Sequence, residues 1–465
     1  MEMQIDLNIF KKTFAVKTED NRHTISGNNA GTLFKLFPFD SHPGSAAVIR
    51  HLHNVVGEFF RRIQKERIPK VQFEEVLPAI KEKIHFEPKE AEAIFDALVK
   101  SKFFDQDQHF KPTNISTYKF IACNTKEKKI AAYLYDTLCA GADMQYLVEQ
   151  AVINGKYDVL TDLVITHMAS MAQMMENDKP YKPIVKTIQQ VFYEDFSFLL
   201  QDENFASEYM IDFLEHYYFF YTSQACMFLS QFFLADRQNE INPLYYSIDW
   251  EKTVQTRPCY TDGWLKLKKY LPKLFSHAVT LEILNQNENE DKLDYLDIRD
   301  ILRNHPEKDN DYARQIMEAA EFYRACIHDC PALKEIALRE TETKTEQAIR
   351  YLFDSVFTQF VNTGRHRAND SYTEKFELFC KNRFLKNRKT SGYMLNLTDR
   401  DLLFLTKLCS KGRRMPLHDL FKEMKRRGIY LDYQSILIVK DYFERLNFIE
   451  KKSDSGDAQY VKAIL

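Results

Sequence analysis

Glycine is scarce in this chain: 12 in 465 residues, and between Gly57 and Gly364 only Gly141, Gly155 and Gly263. Tight turns in a many-stranded sheet need residues that accept positive φ, so the scarcity argues against a large β architecture and predicts helices joined by polar links. Also missing is any G-x-x-x-x-G-K-[ST] loop, which excludes ATP hydrolysis by a P-loop route. No H-E-x-x-H, G-x-S-x-G or paired C-x-x-C occurs either. The eight cysteines are scattered, and the acidic, polar start Met1-Glu-Met-Gln-Ile-Asp6 does not read as a secretory signal, so reduced thiols in a cytoplasm are expected. Cys326-Ile-His-Asp-Cys330 is the one ligand-rich cluster. It has no second pair nearby to close a tetrahedron, and structural thiols are expected rather than zinc. A nuclease would need carboxylates converging on metal, whereas Asp294, Asp297 and Asp300 are spaced like a helix face or a turn. No catalytic residue, metal or cofactor is predicted, and the chain reads as non-catalytic on its own.

What is present is apolar bulk and charge. Apolar residues make up 45% and charged residues 28%, which suits a large core under a polar surface. At 465 residues the chain should divide into about two to four domains. The net charge of −3 hides an asymmetry: residues 361–465 hold 22 Lys and Arg against 13 Asp and Glu, or +9, leaving −12 for residues 1–360. The basic end is the candidate nucleic-acid face.

In chain order, residues 1–45 carry turn formers (Ser26 to Gly31, His42 to Ser45) and read as an irregular lead-in. Residues 46–125 predict three helices, from Ala46 to about Lys65, Phe73 to Ile84 and Pro88 to Ser101, then an extended pair around the polar tip of 102–111. That order suggests a winged-helix-like unit, with a plain helical subdomain as the alternative. Its 12 basic and 11 acidic residues between Ala46 and Pro112 suit protein docking rather than DNA. Residues 126–360 predict a body of long helices. One run in it, Tyr217 to Ala235, is uncharged for nineteen residues, but Thr222, Ser223, Gln224, Ser230 and Gln231 stripe it, so a buried aromatic helix is expected rather than a membrane span. Trp264 to Gln286 predicts a helix kinked at Pro272. The acidic run from Asn285 to Asp311 reads as a solvated loop around a short helix. Residues 361–396 form a basic linker and helix in which Phe379, Phe384 and Tyr393 interleave with cations, a pattern that suits a strand-binding surface or a solvated linker.

Residues 397–465 carry the sharpest pattern. Thr398 can cap a helix reaching Cys409, Leu417 opens a second helix that Gly428 stops, and Asp432 caps a third that ends at Asn447. Phe448 to Lys452 and Ala458 to Ile464 then read as two strands around a Ser-Asp-Ser-Gly-Asp turn. Three helices and a hairpin predict a winged helix-turn-helix. The fold class expected for the whole chain is therefore mainly α, a long helical body with that C-terminal unit and the winged-helix-like unit near the N-terminus. In a winged helix the third helix enters the major groove. Here it would present Tyr433, Gln434, Leu437, Lys440, Asp441, Glu444 and Arg445; its two acids and leucine argue against base reading and predict either phosphate contact without sequence discrimination or protein docking through this helix. The candidate DNA contacts are phosphate contacts: Arg365, Arg367, Lys386, Arg388, Lys389, Lys411, Arg413, Arg414, Lys425, Arg426, Arg427, Lys440, Arg445, Lys451 and Lys452.

Several of these segments resemble one family. Leu395 to Arg400, Leu402 to Cys409, Arg427-Gly428 and above all Lys451 to Lys462 are similar to the DptG (DndG) family of DNA phosphorothioation-dependent restriction proteins. The likeness extends through Phe379 to Leu385 and, more faintly, Asp249 to Lys252, Arg257, Gly263-Trp264 and Phe275 to His277, and it is thin before residue 245. The resemblance implies a bacterial antiphage defence complex with DptF-like and DptH-like partners carrying the nucleotide-driven activity, and action on DNA that lacks the backbone sulfur. The expected role is a non-catalytic connector that binds partners through its acidic body and DNA through residues 361–465, with no membrane association. A stand-alone winged-helix transcriptional regulator and a nuclease subunit with an unrecognised site are the alternatives.

Overall fold

The fold is built around a single helix. In the computed structural model, which describes residues 2–20, 22–25, 30–41, 49–69, 73–87, 90–106, 109–155, 157–175, 178–236, 241–451 and 459–463, most of the uncharged run falls within the 29-residue helix Glu203–Gln231 and its end in the 3-10 turn Phe232–Leu234. At 1.5 Å per residue it is about 43 Å long. Asp202 starts it by accepting the Phe205 N–H at 3.1 Å, and every residue from Phe213 to Leu229 is buried. A helix apolar on all sides must be wrapped on all sides. Its rings meet Tyr133, Phe192, Phe376, Phe379, Phe384 and Phe404 from four surrounding helices and their caps. Two of its buried polar side chains find backbone partners: Ser223 Oγ donates to Phe219 O at 2.6 Å, and Gln224 exchanges two hydrogen bonds with the Asn242 backbone. Among the described residues no helix is long and apolar enough to cross a membrane.

The chain is mainly helical, and its sheets hold two to four short strands each. The lead-in is more ordered than expected. Asp6 caps the helix Leu7–Thr13, and Val16–Glu19 pairs antiparallel with Arg22–Ile25. The buried carboxylate of Glu282 accepts N–H groups from Gly31, Thr32, Leu33 and Phe34 at 2.7–3.1 Å, which ties this segment to the body. Most of the two turn-former clusters, 26–29 and 42–48, lies outside the described residues. As expected, Pro272 interrupts the 264–286 helix. Trp264–Lys268, a 3-10 turn at Leu271–Lys273 and Leu274–Leu284 replace it.

The three helices expected in 46–125 do not share one core. Val55–Gln64 belongs to the main core, whereas Phe73–Lys81 and Glu90–Phe103 close a small separate core with Val164 and Met168 of the helix Val159–Ala169. The expected extended pair at 102–111 reduces to one bridge, Phe104 to Phe110.

The C-terminal helices fall close to their caps. Thr398 forms a capping box with Asp401 ahead of Asp399–Ser410, the second helix is Leu417–Arg426, and Asp432 caps Tyr433–Arg445. Ile449–Lys451, Gln459–Val461 and Met415–Pro416 make an antiparallel sheet with Gln459–Val461 in the middle. The intervening turn lies outside the described residues. One feature departs from an appended tail. Tyr245–Ile248 of the body lies parallel to Tyr393–Leu397 on one side and to Tyr430–Leu431 on the other, so the strands before the first and third C-terminal helices enter a sheet shared with the body.

Candidate nucleic-acid interface

The basic residues nominated from sequence divide into two groups, those bound inside the molecule and those facing outward. Arg427 heads the first group. Gly428, at φ +77°, ends the second helix against the central helix, where an added Cβ would sit 2.4 Å from the Phe220 ring. That close approach carries the preceding arginine inward, and Arg427 is only 1% exposed. Its guanidinium grips Asp195 with two bonds of 2.6 Å, and Nη1 donates to Glu423 O at 2.9 Å and to its carboxylate at 2.7 Å. Asp195 is fully buried, accepts the Tyr217 hydroxyl at 2.7 Å and also binds the Lys411 ammonium. Burial pushes its carboxyl upward, but Arg427 and Lys411 outweigh that and hold it below the usual carboxylate range. Burial also drives nearby His216 down to about 4.

Arg427 and Lys411 are therefore not available to phosphate, contrary to the sequence expectation; both neutralise one acid of the body. Arg388 is likewise committed. Half-buried, it donates to the carbonyls of Ile248 at 2.7 Å, Glu251 at 3.0 Å and Asp249 at 3.1 Å, and to the side chains of Ser247 and Asn396. Burial lowers its pKa, against the opposing pull of the Glu251 and Asp249 carboxylates. Lys386 binds Asp249 through carboxylate and carbonyl, both at 2.8 Å, and Arg365 donates to Ile25 O at 2.7 Å. Arg426 pairs with Glu194 and Glu423, Arg414 with Glu450 while lying 3.8 Å over the Tyr460 ring, and Arg445 with Asp441.

Arg367, Lys389, Arg413 and Lys425 remain exposed, and half-buried Lys440 joins them. None of the five side chains makes an ion pair among the described residues, and Lys425 lies 5.9 Å over the Tyr430 ring. Lys452 lies outside the described residues, and Lys451 contributes backbone to its strand.

Pattern reading missed the arginines that do most of the joining. Arg257 reaches the N-cap of the third helix, binding Asp432 at 2.5 and 3.0 Å and Ser435 at 2.8 Å, while Ser435 donates to Glu251 at 3.0 Å. Arg383 bonds Asp401 at 2.6 Å, Glu215 at 2.8 Å and Asp212 at 2.9 Å, linking the 366–383 helix, the central helix and the first C-terminal helix. Arg400 adds Asp212 at 2.9 Å and packs 4.4 Å over Tyr209. The available signal was the cap itself. Asp432 and Asp401 are both helix-start acids, and an acid in that place can hold a distant guanidinium as well as its own backbone.

Around the third helix the surface is partly apolar. Tyr433 is 71% exposed and Leu437 40%, and Trp250 and Val254 of the body are also exposed. Trp250 packs 4.7 Å from Tyr442 of that helix. Asp441 and Glu444 lie on the outward side. Tyr, Trp and Leu among acids suit a protein partner, because phosphate repels carboxylates and an apolar ring gains from being covered. No family model matches this sequence, and no curated protein matches it significantly.

Proposed function

We propose that this chain is a non-catalytic connector subunit of a phosphorothioation-dependent restriction complex, with a C-terminal winged helix locked to a helical body. Its third helix docks protein, and a reduced set of cations touches DNA backbone. The order of three helices and three strands, with the last strand central in the sheet, supports the winged-helix reading. The likeness at Lys451 to Lys462 and Arg427-Gly428 supports the family. The observation that carries the reading is the fate of the charge. The cations expected to face phosphate in fact bind Asp195, Asp249 and Glu194, and the outward face of the third helix presents Tyr433 and Leu437 beside acids. Such a surface favours docking over the stand-alone regulator, which would need base-reading side chains on that helix.

Co-purification with the DptF-like and DptH-like proteins tests this. Tyr433→Glu together with Leu437→Arg should abolish the complex, whereas Arg413→Ala and Lys425→Ala should leave it intact. Each of those two should flatten the salt dependence of DNA binding by about one phosphate contact. Retention of both partners by the double variant would overturn the docking role, and an unchanged salt slope would remove DNA from the winged helix.

A further inference from the structure

A concavity with no residue of the C-terminal unit in its lining lies where the helix Val55–Gln64, the helix Thr125–Leu138 and the strand pair Glu66–Arg67 with Gln173–Met174 converge. It encloses about 600 Å³, within the range of small-molecule sites. Gly57 creates the floor. A Cβ there would stand 2.3 Å from Ile121 O, so only glycine lets the 115–123 segment lie against the helix. That contact puts the carbonyls of Lys119 and Ile121 within reach of Arg61, which holds them at 2.7 and 2.8 Å and also binds Glu58 at 3.0 Å and Cys123 Sγ at 3.0 Å. Arg61 is 5% exposed, so its charge is fixed in the floor.

Beside it, Arg62 pairs through Nε with Glu58 at 3.4 Å and through Nη2 with Asp178 at 3.3 Å. Lys129 is taken up by Asp40. Three further cations of the lining, Lys35, Arg67 and Lys128, have no ion-pair partner among the described residues, and Arg67 and Lys128 are exposed. Six cations thus line the concavity against two acids, Glu58 and Asp178. Like charges gathered in one concave wall repel one another, and a multivalent anion relieves that repulsion. The strand pair adds an apolar stretch to the same lining through Ile68, Pro69 and Met175.

We propose that this basin binds a nucleoside phosphate. Its phosphates are held by Lys35, Arg67 and Lys128 above the fixed guanidiniums of Arg61 and Arg62, and its base lies on Ile68, Pro69 and Met175. The ligand is a free nucleotide or the terminal nucleotide of a strand, which share this chemistry. Because the lining contains no glycine loop, the site holds its ligand through side chains. It stands independently of the role proposed for the C-terminal unit.

Calorimetric titration of the full chain tests the site with three probes: ATP without added metal, inorganic triphosphate, and a short single strand carrying a 5′-phosphate. ATP or the phosphorylated strand should bind saturably, and the tighter of the two identifies the source. Arg67→Glu and Lys128→Glu should each weaken that binding by about tenfold or more, since each reverses a charged contact on an exposed side chain. Arg303→Glu, a reversal on the helix Tyr295–Asn304, which contributes no residue to the lining, should leave it unchanged. Absence of binding by both nucleotide probes, or equal loss with Arg303→Glu, overturns the site. Inorganic triphosphate binding as tightly as the better nucleotide probe overturns the placement of the base.

Discussion

The small unit near the N-terminus and the C-terminal unit share an order of short helices followed by short antiparallel pairing, a single bridge in the first and a strand pair in the second, yet they are attached to the body by different physics. The first encloses its own apolar core, with Val76, Ile80, Val99 and Phe103 packed on Val164 and Met168, and meets the rest through a two-residue strand pair and the 3-10 segment Ile115–Phe120, which places Phe120 in the small core and Ile115 and Tyr118 in the main one. The second has no separate core. Leu402, Leu408, Leu420, Val439 and Phe443 belong to the main apolar cluster, and its edges are held by buried ions at Asp195, Asp401 and Asp432. A unit with its own core can loosen alone. One whose charges are neutralised by the body cannot separate without exposing unpaired ions.

The sharpest way to break the comparison is Arg427→Ala. It leaves the buried Asp195 carboxylate with Lys411 alone and should cost about 3–5 kcal/mol. Chemical denaturation should show the whole chain destabilised, with an early change in the emission of Trp250, which packs on the third helix. Phe103→Ala removes a fully buried ring from the small core and should cost a similar amount, about 3–5 kcal/mol, but locally. Hydrogen exchange should rise over 73–103 while Trp250 emission stays native. If both variants unfold the chain as one, the two units are not attached differently.

A smaller effect concerns protons. His216 is buried beside the Asp195–Arg427 pair, its Nε2 makes no hydrogen bond, and burial holds its pKa at about 4 against an ordinary 6.5. The unfolded chain then binds more protons than the folded one between those values. Stability is therefore full above about pH 6.5 and falls on acidification toward pH 4, by about 3 kcal/mol from this group. His277, also buried and lowered, adds to the slope. His216→Phe should flatten the profile by one proton, which denaturation midpoints across that range would register.

Local structure was legible where the sequence carries its own cause. Thr398 and Asp432 are side chains that satisfy helix-start N–H groups, and both helices begin there. Gly428 stops a helix because a residue at φ +77° strains any side chain, and the uncharged aromatic run is buried from Tyr217 to Leu229 because its rings gain most by leaving water. Membership of the first helix was misread: Val55–Gln64 is helical as expected, but only the tertiary structure shows that its partners are Ile115, Tyr118 and the central helix rather than the next two helices in line.

The candidate interface was legible as charge but not as direction. An excess of +9 at one end and −12 over the remainder reads equally as a face for nucleic acid or as two halves of one joint, since a Coulomb sum carries no address. Arg427 and Asp195 are 232 positions apart, and no spacing rule connects them. The sequence by itself determined the caps, the stops, the apolar mast and the amount of charge. The tertiary structure alone decided which cations face inward, because that choice depends on where folding brings distant acids and on the cost of burying either partner unpaired.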